Sequence, residues 1–419
     1  MKIWLVQRSE STPHDNTQSE RAMRTGIMAQ VLAQRGHQIT WWTSTFDHFN
    51  HRHRYETDVC LEVSSNYKIQ YIRGYGYQRN VSISRILDNN LVGKRFAQLI
   101  RKQTETPDII IASIPTAELA LEAVRYGRQH NIPVILDIRD LWPDVFYDLV
   151  PSYTHPVIDL ITIPMTRKLE QACAGATSIV GLTEAFLNWG IKHANRLKNK
   201  NDQVFPMGYL TNSCYPSQQE SADKFWQDKG VTKSEYLLVT FVGTIGKTND
   251  LFPVIEAAKL LNDTQAKVKF VICGAGENLS ILQSKAEKLN NIIFPGWINS
   301  EQIISLLEMA DIGIAPYINS KNYISNVPNK PAEYLSRGLG IALSLDCGVL
   351  YDILQEHNIG FSYYSDAEKL ANNLDCLSKD TQRLKTMQTN ASSIFDKFFN
   401  GEAVYNQMAD YLENIVVNS

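Results

Sequence analysis

Along the first half of the chain, short apolar runs alternate with polar, helix-like stretches. The runs at 2–7, 37–44, 68–73, 108–113, 133–138 and 177–182 predict strands, and 19–34 predicts the first helix, closed by Gly36. Several runs, IIIAS and PVILDI among them, are continuously apolar over three or four successive positions instead of apolar at every second one. Parallel strands covered by helices on both faces read this way. The rhythm restarts after Gly208, with strands expected at 236–242, 268–273, 291–294, 312–315 and 340–345. Helices are expected at 251–261, 279–289, 301–310, 331–337 and 349–356. Between the halves, FPMGYLTNSCYPSQQESA is rich in Pro, Gly, Ser and Asn and predicts a linker. The expectation is an α/β protein of two Rossmann-like, doubly wound parallel-sheet domains facing across a cleft. Residues 1–208 form the first, 209–234 the linker and 235–395 the second, with a C-terminal helix over 396–419 returning toward the first domain.

A length of 419 residues exceeds what one hydrophobic core usually serves, in keeping with two domains. The net charge of −3 argues against a dedicated nucleic-acid binder. It conceals an asymmetry: residues 1–210 carry 24 basic and 20 acidic groups, residues 211–419 carry 17 and 24. The excess is concentrated in residues 1–102, with 15 basic against 8 acidic groups, as suits an acceptor bearing a lipid diphosphate at an anionic membrane surface. HFNHRHR, holding His48, His51 and His53, reads as a solvated loop or as an anion contact. Six scattered cysteines without a C-x-x-C pair suggest neither a zinc site nor a redox motif. The start is too short in apolar residues for a signal core, and no run approaches the ~20 residues that span a bilayer. The expected location is cytoplasmic, with peripheral contact to the inner membrane.

Candidate chemistry collects at the strand ends of the second half. In FVGTIGKTNDL an apolar strand runs into Gly243, Thr244, Gly246 and Lys247 before a helix, a setting in which bare backbone and an ammonium meet a phosphate. A tight strand-to-helix turn requires the same glycines, and the segment matches neither a Walker loop nor a dinucleotide fingerprint. CGAGEN repeats the pattern at Gly274. In VPNKPAEYLSRG, Glu333 is placed to accept the ribose hydroxyls or merely to complement a helix dipole, and Lys330 to meet the diphosphate.

These segments, taken in order with QRGHQITWWTSTFDH, DIRDLWPD, ATSIVGLTE, FPGWI and ADIGIAP, resemble the family four glycosyltransferases of GT-B architecture. The likeness is greatest to the bacterial O-antigen and capsule aminosugar transferases, including those for N-acetyl-L-fucosamine. It implies a retaining transfer, without metal or cofactor, from a nucleoside diphosphate sugar, UDP-linked, to a polyprenyl-diphosphate-linked or oligosaccharide acceptor. It also implies that Glu333 is the second Glu of the family's Glu-x7-Glu signature. The first falls at Ser325, so the sugar contact passes to Ser325, Asn326 or a backbone amide, with Asn329 alongside. The family's strand-turn Arg is Thr244 here, leaving Lys247 for the diphosphate. Arg139 and Asp140 stand where many members have His-Asp and would orient acceptor or donor, although Arg139 equally suits an ion pair with Asp137 or Asp140. Ser9, Glu10 and Arg21 are the expected acceptor contacts. Two rivals remain: a nucleotide-sugar epimerase of the same fold, and a catalytically silent nucleotide-sugar binder.

Overall fold

The computed structural model describes residues 1–15, 22–79, 82–149, 152–211, 216–232 and 236–418. The chain divides into two compact units, Met1–Pro206 with Ala403–Ser419, and Met207–Glu402.

In the first unit the strands are β1 (Lys2–Val6), β2 (Gln38–Ser44), a small hairpin of β3 (Phe46–Asp47) and β4 (Arg52–His53), β5 (Val59–Ser64), β6 (Tyr67–Ile72), β7 (Ile109–Ile114), β8 (Val134–Ile138), β9 (Ser178–Gly181) and β10 (Gln203–Val204). Eight form one sheet in the order β10-β9-β8-β7-β1-β2-β6-β5, parallel apart from β5 against β6. Helices α1 (Arg24–Gln34), α2 (Ile83–Ile100), α3 (Ala117–His130), α4 (His155–Gly175) and α5 (Glu184–Ala194) supply the crossovers. The largely apolar runs do what they predict: every residue of β7 and β8 is buried, Ser113 and Asp137 included. Helix α1 begins at Arg24; the part of its expected range at 19–21 lies outside the described residues.

The second unit carries β11 (Leu237–Val242), β12 (Val268–Cys273), β13 (Ile292–Gly296), β14 (Ile312–Ala315), β15 (Gly340–Leu343) and β16 (Gly360–Ser362). The sheet is wholly parallel in the order β13-β12-β11-β14-β15-β16, with Val239 in register with both Phe270 and Ile312. The order reverses between β11 and β14, so this sheet has its switch point beside Gly243. Its helices are α6 (Pro216–Asp228), α7 (Phe252–Asp263), α8 (Leu279–Lys285), α9 (Ser300–Met309), α10 (Lys321–Ile324), α11 (Asn329–Leu335), α12 (Val349–His357), α13 (Ala367–Lys379) and α14 (Thr381–Ile394); α15 (Gly401–Val417) belongs from Ala403 onward to the first unit.

The segment expected to be a linker at 209–234 contains α6. Ala222, Phe225 and Trp226 fall at helical spacing on one face of α6. Trp226 is fully buried, and its indole N–H donates to the Gln302 carbonyl at 2.9 Å.

Candidate functional site

The strand ends at the switch point of the second unit touch backbone to backbone. Gly243 (φ +155°) follows β11 and Gly274 (φ +134°) follows β12, both in conformations that side chains rarely adopt. A methyl group on Gly274 would sit 1.8 Å from the Gly243 carbonyl oxygen, and one on Gly243 would sit 2.3 Å from Lys330 Cε and 2.8 Å from its Nζ. The Lys330 ammonium therefore lies directly on the bare Gly243 backbone, 5.4 Å from the centre of the Phe241 ring. Burial lowers its pKa, against the nearby Glu333 charge, which raises it. An anion beside a half-buried ammonium restores the interaction that burial has removed.

Glu333, one turn along α11, is half-buried, and its Oε1 accepts the phenol proton of Tyr209 at 3.0 Å. Tyr209 lay in the segment read as linker, and nothing in its composition pointed to the site. Lys247 is exposed on the turn after β11. The structure thus brings Gly243, Gly274, Lys330 and Glu333 together, with Thr244 and Lys247 on the adjoining turn.

The glycines serve differently from the expectation of phosphate-facing amides. The N–H of Gly243 donates to Cys273 O at 3.0 Å, that of Ile245 to Ala275 O at 2.9 Å and that of Gly274 to Gly296 O at 2.8 Å, all closing the sheet's end. The Thr244 N–H has no partner among the described residues. Gly243 and Gly274 thus act through close approach, and Thr244 alone of these offers a donor. Ser325 caps α10, donating its N–H to Lys321 O, and Asn326 Oδ1 accepts from the Val327 N–H; Asn329 is exposed at the start of α11.

In the first unit the expected contacts are drawn into one buried network. Helix α1 has no side-chain cap of its own, and Glu10 takes that place: Oε2 accepts from the Thr25 N–H at 2.9 Å and Oε1 from the Thr25 hydroxyl at 3.0 Å. Glu10, only 4% exposed, also pairs with Arg139. Arg139 Nε donates to Asp137 at 2.7 Å, and Arg24 Nε reaches the same carboxylate oxygen at 2.9 Å. Burial would raise the Asp137 pKa, but Arg139 and Arg24 outweigh it and hold the carboxyl below its ordinary range. Glu10, expected as an acceptor contact, caps a helix and holds an ion pair, and Arg139 is engaged on two carboxylates, Asp137 as in its ion-pair alternative and Glu10 besides. Ser9 is half-buried, its N–H on the Gln7 side chain; Arg21 lies outside the described residues.

Asp140 differs from its neighbour. Burial pushes its pKa up to about 6, opposed by the Leu141 N–H and by the Arg85 charge. The Arg85 guanidinium lies 4.3 Å over the Trp142 ring and 5.5 Å from the Tyr77 ring, and the buried Arg8 reaches Asp88 at 2.5 Å. Arg8 carried no signal in the sequence because its partner Asp88 lies 80 positions away.

Residues 223–393 match the family Glycosyl transferases group 1. The whole chain shares its fold with solved structures. One is Anabaena HepE in complex with UDP and glucose (15% identity, TM-score 0.64, covering 99% of this chain and 100% of that one). Another is the sucrose-phosphate synthase of Thermosynechococcus elongatus (14%, 0.69, 100% of both). A third is WaaG, a glycosyltransferase involved in lipopolysaccharide biosynthesis (14%, 0.61, 97% and 98%). The fold is GT-B. No curated protein sequence matches the chain. The GT-B fold and the family match over the second unit together support a glycosyltransferase.

Proposed function

We propose that the protein moves a sugar, an N-acetylated hexosamine or deoxyhexosamine, from a UDP-linked donor to a lipid-diphosphate-linked saccharide of O-antigen or capsule synthesis, retaining anomeric configuration without a metal or other cofactor. The observation that carries the donor half is Lys330 lying on bare Gly243 at the switch point, one helical turn from Glu333. In an open parallel sheet that is where a nucleotide sits. Glu333 takes the ribose hydroxyls. Lys330, Lys247 and the Thr244 amide meet the diphosphate.

A nucleoside diphosphate already leaves well, so the protein's task is to stabilise the charge growing on the departing phosphate. Lys247, exposed and on the same turn as Thr244, is placed for that role. Asp140 of the first unit orients the acceptor hydroxyl, and Arg139 holds the β8 end in shape through Asp137 and Glu10. Contact with a lipid surface is supported by α4 and α2, where Val157, Leu160, Ile161, Ile83 and Leu87 are exposed, Leu160 to 70%. Among the described residues no helix is long and apolar enough to cross a membrane.

The test is incubation with UDP-N-acetylhexosamines, with and without a polyprenyl-diphosphate-linked saccharide, followed by mass spectrometry and NMR of the product. Transfer to the acceptor with a retained anomer supports the proposal. Epimerised or hydrolysed donor without acceptor indicates the epimerase. Binding without transfer to lipid-linked or soluble acceptors indicates the silent binder, which the loss of the family's first Glu at Ser325 favours.

A further inference from the structure

We infer that Tyr209 is a positioning residue for the Glu333 carboxylate, and that it ties Glu333 to the place where the chain crosses between units. The inference rests on the nucleotide site proposed above. The chain enters the second unit at Met207 and leaves it after Glu402. Close to both points the two segments are bonded. The Tyr209 N–H donates to Phe399 O at 2.8 Å, and the Tyr209 carbonyl accepts from the Gly401 N–H at 2.9 Å. The approach needs a glycine, since a methyl group on Gly401 would sit 2.8 Å from the Tyr209 carbonyl carbon. The Tyr209 ring is 8% exposed and meets the Phe395 ring edge-on at 6.4 Å. Backbone bonds on both sides and packing on the ring thus fix the phenol before it reaches Glu333 Oε1 at 3.0 Å.

A carboxylate on a short helix has several rotamers, and ribose recognition needs one. A donor fixed from outside the helix favours it, and a hydrogen bond to a charged acceptor is among the stronger neutral-donor contacts. Because the same tyrosine holds residues 399 and 401, occupancy at Glu333 and order at the crossing are linked, and linkage is reciprocal.

The experiment uses the full chain and UDP. Tyr209→Phe keeps the ring and its packing and removes the hydroxyl alone. It is expected to raise the UDP dissociation constant roughly tenfold, to raise the donor KM with kcat kept, and to leave binding of inorganic pyrophosphate unchanged. In a Glu333→Ala background the same change has no further effect. Hydrogen exchange gives an independent readout: UDP slows exchange of the Tyr209 and Gly401 amides in the wild type and fails to do so in Tyr209→Phe. If UDP binding depends on Glu333 yet Tyr209→Phe matches the wild type, or if pyrophosphate binding falls as much as UDP binding, the role of Tyr209 is overturned. If the wild type does not bind UDP, or Glu333→Ala binds it as well as the wild type, the nucleotide-site reading itself has failed.

Discussion

Changing Gly243 to Ala separates two consequences of one methyl group. The new carbon would lie 2.3 Å from Lys330 Cε, whereas carbon atoms rest about 3.5–4.0 Å apart, so the lysine stem must retreat by more than about 1 Å. The stem is flexible and can yield, unlike the backbone that crowds Gly274, so the unit still folds. Strain at φ +155° costs about 1–3 kcal/mol. For a unit of this size that is a fall in Tm of roughly 2–12 °C. The larger effect is on the ligand, because the displaced ammonium loses a charge-assisted contact of about 1.5–3 kcal/mol with the diphosphate, a loss of roughly ten- to a hundredfold in affinity. Calorimetric titration with UDP and with uridine isolates that term: UDP weakens by this factor and uridine, lacking phosphate, does not. Unchanged UDP binding, or an equal loss for both ligands, would refute the placement of the diphosphate against Lys330.

Lys247→Ala is expected to lower kcat by tenfold or more while changing the UDP dissociation constant far less, since its charge acts on the departing phosphate; equal losses in both would mark a ground-state contact. Asp140→Asn tests the buried carboxyl. Its folded pKa, about 6, lies above the ordinary value of 3.8, so the wild type gains stability from this group at low pH and loses it as the pH rises through about 6. Two pKa units correspond to at most about 3 kcal/mol, so the Asn variant should be the more stable at pH 7 by up to that amount, the advantage vanishing near pH 4, with transfer impaired. Denaturant titrations at the two pH values that show no pH-dependent difference would contradict this. Asp137→Asn strips both Arg24 and Arg139 of a buried partner and is expected to destabilise the first unit by about 3–5 kcal/mol in urea unfolding; a loss below 1 kcal/mol would mean the network is dispensable.

The doubly wound character of both units was legible because runs such as PVILDI hold successive apolar positions on both faces of the strand, and a sheet covered on both faces buries them so completely. Strand order was not, since it depends on which edge each crossover returns to. The glycines at 243 and 274 stood out, but which of their two readings holds was not legible: a sequence reports that a side chain is excluded there, not whether the amides are left open. Arg139 shows a second limit. Its charge suggested either chemistry or an ion pair, and one of the carboxylates it meets, Glu10, lies 129 positions away. Helix α6 was hidden by the Pro, Ser and Asn before it, although Ala222, Phe225 and Trp226 already carried helical spacing. Tyr209 left no mark, because one hydroxyl in a polar segment carries no pattern.

A crystal structure of the protein with UDP tests the central claim most directly. The account predicts the diphosphate against Lys330 and Gly243, with both ribose hydroxyls on the Glu333 carboxylate. UDP seated elsewhere, with Lys330 and Glu333 untouched, would contradict it.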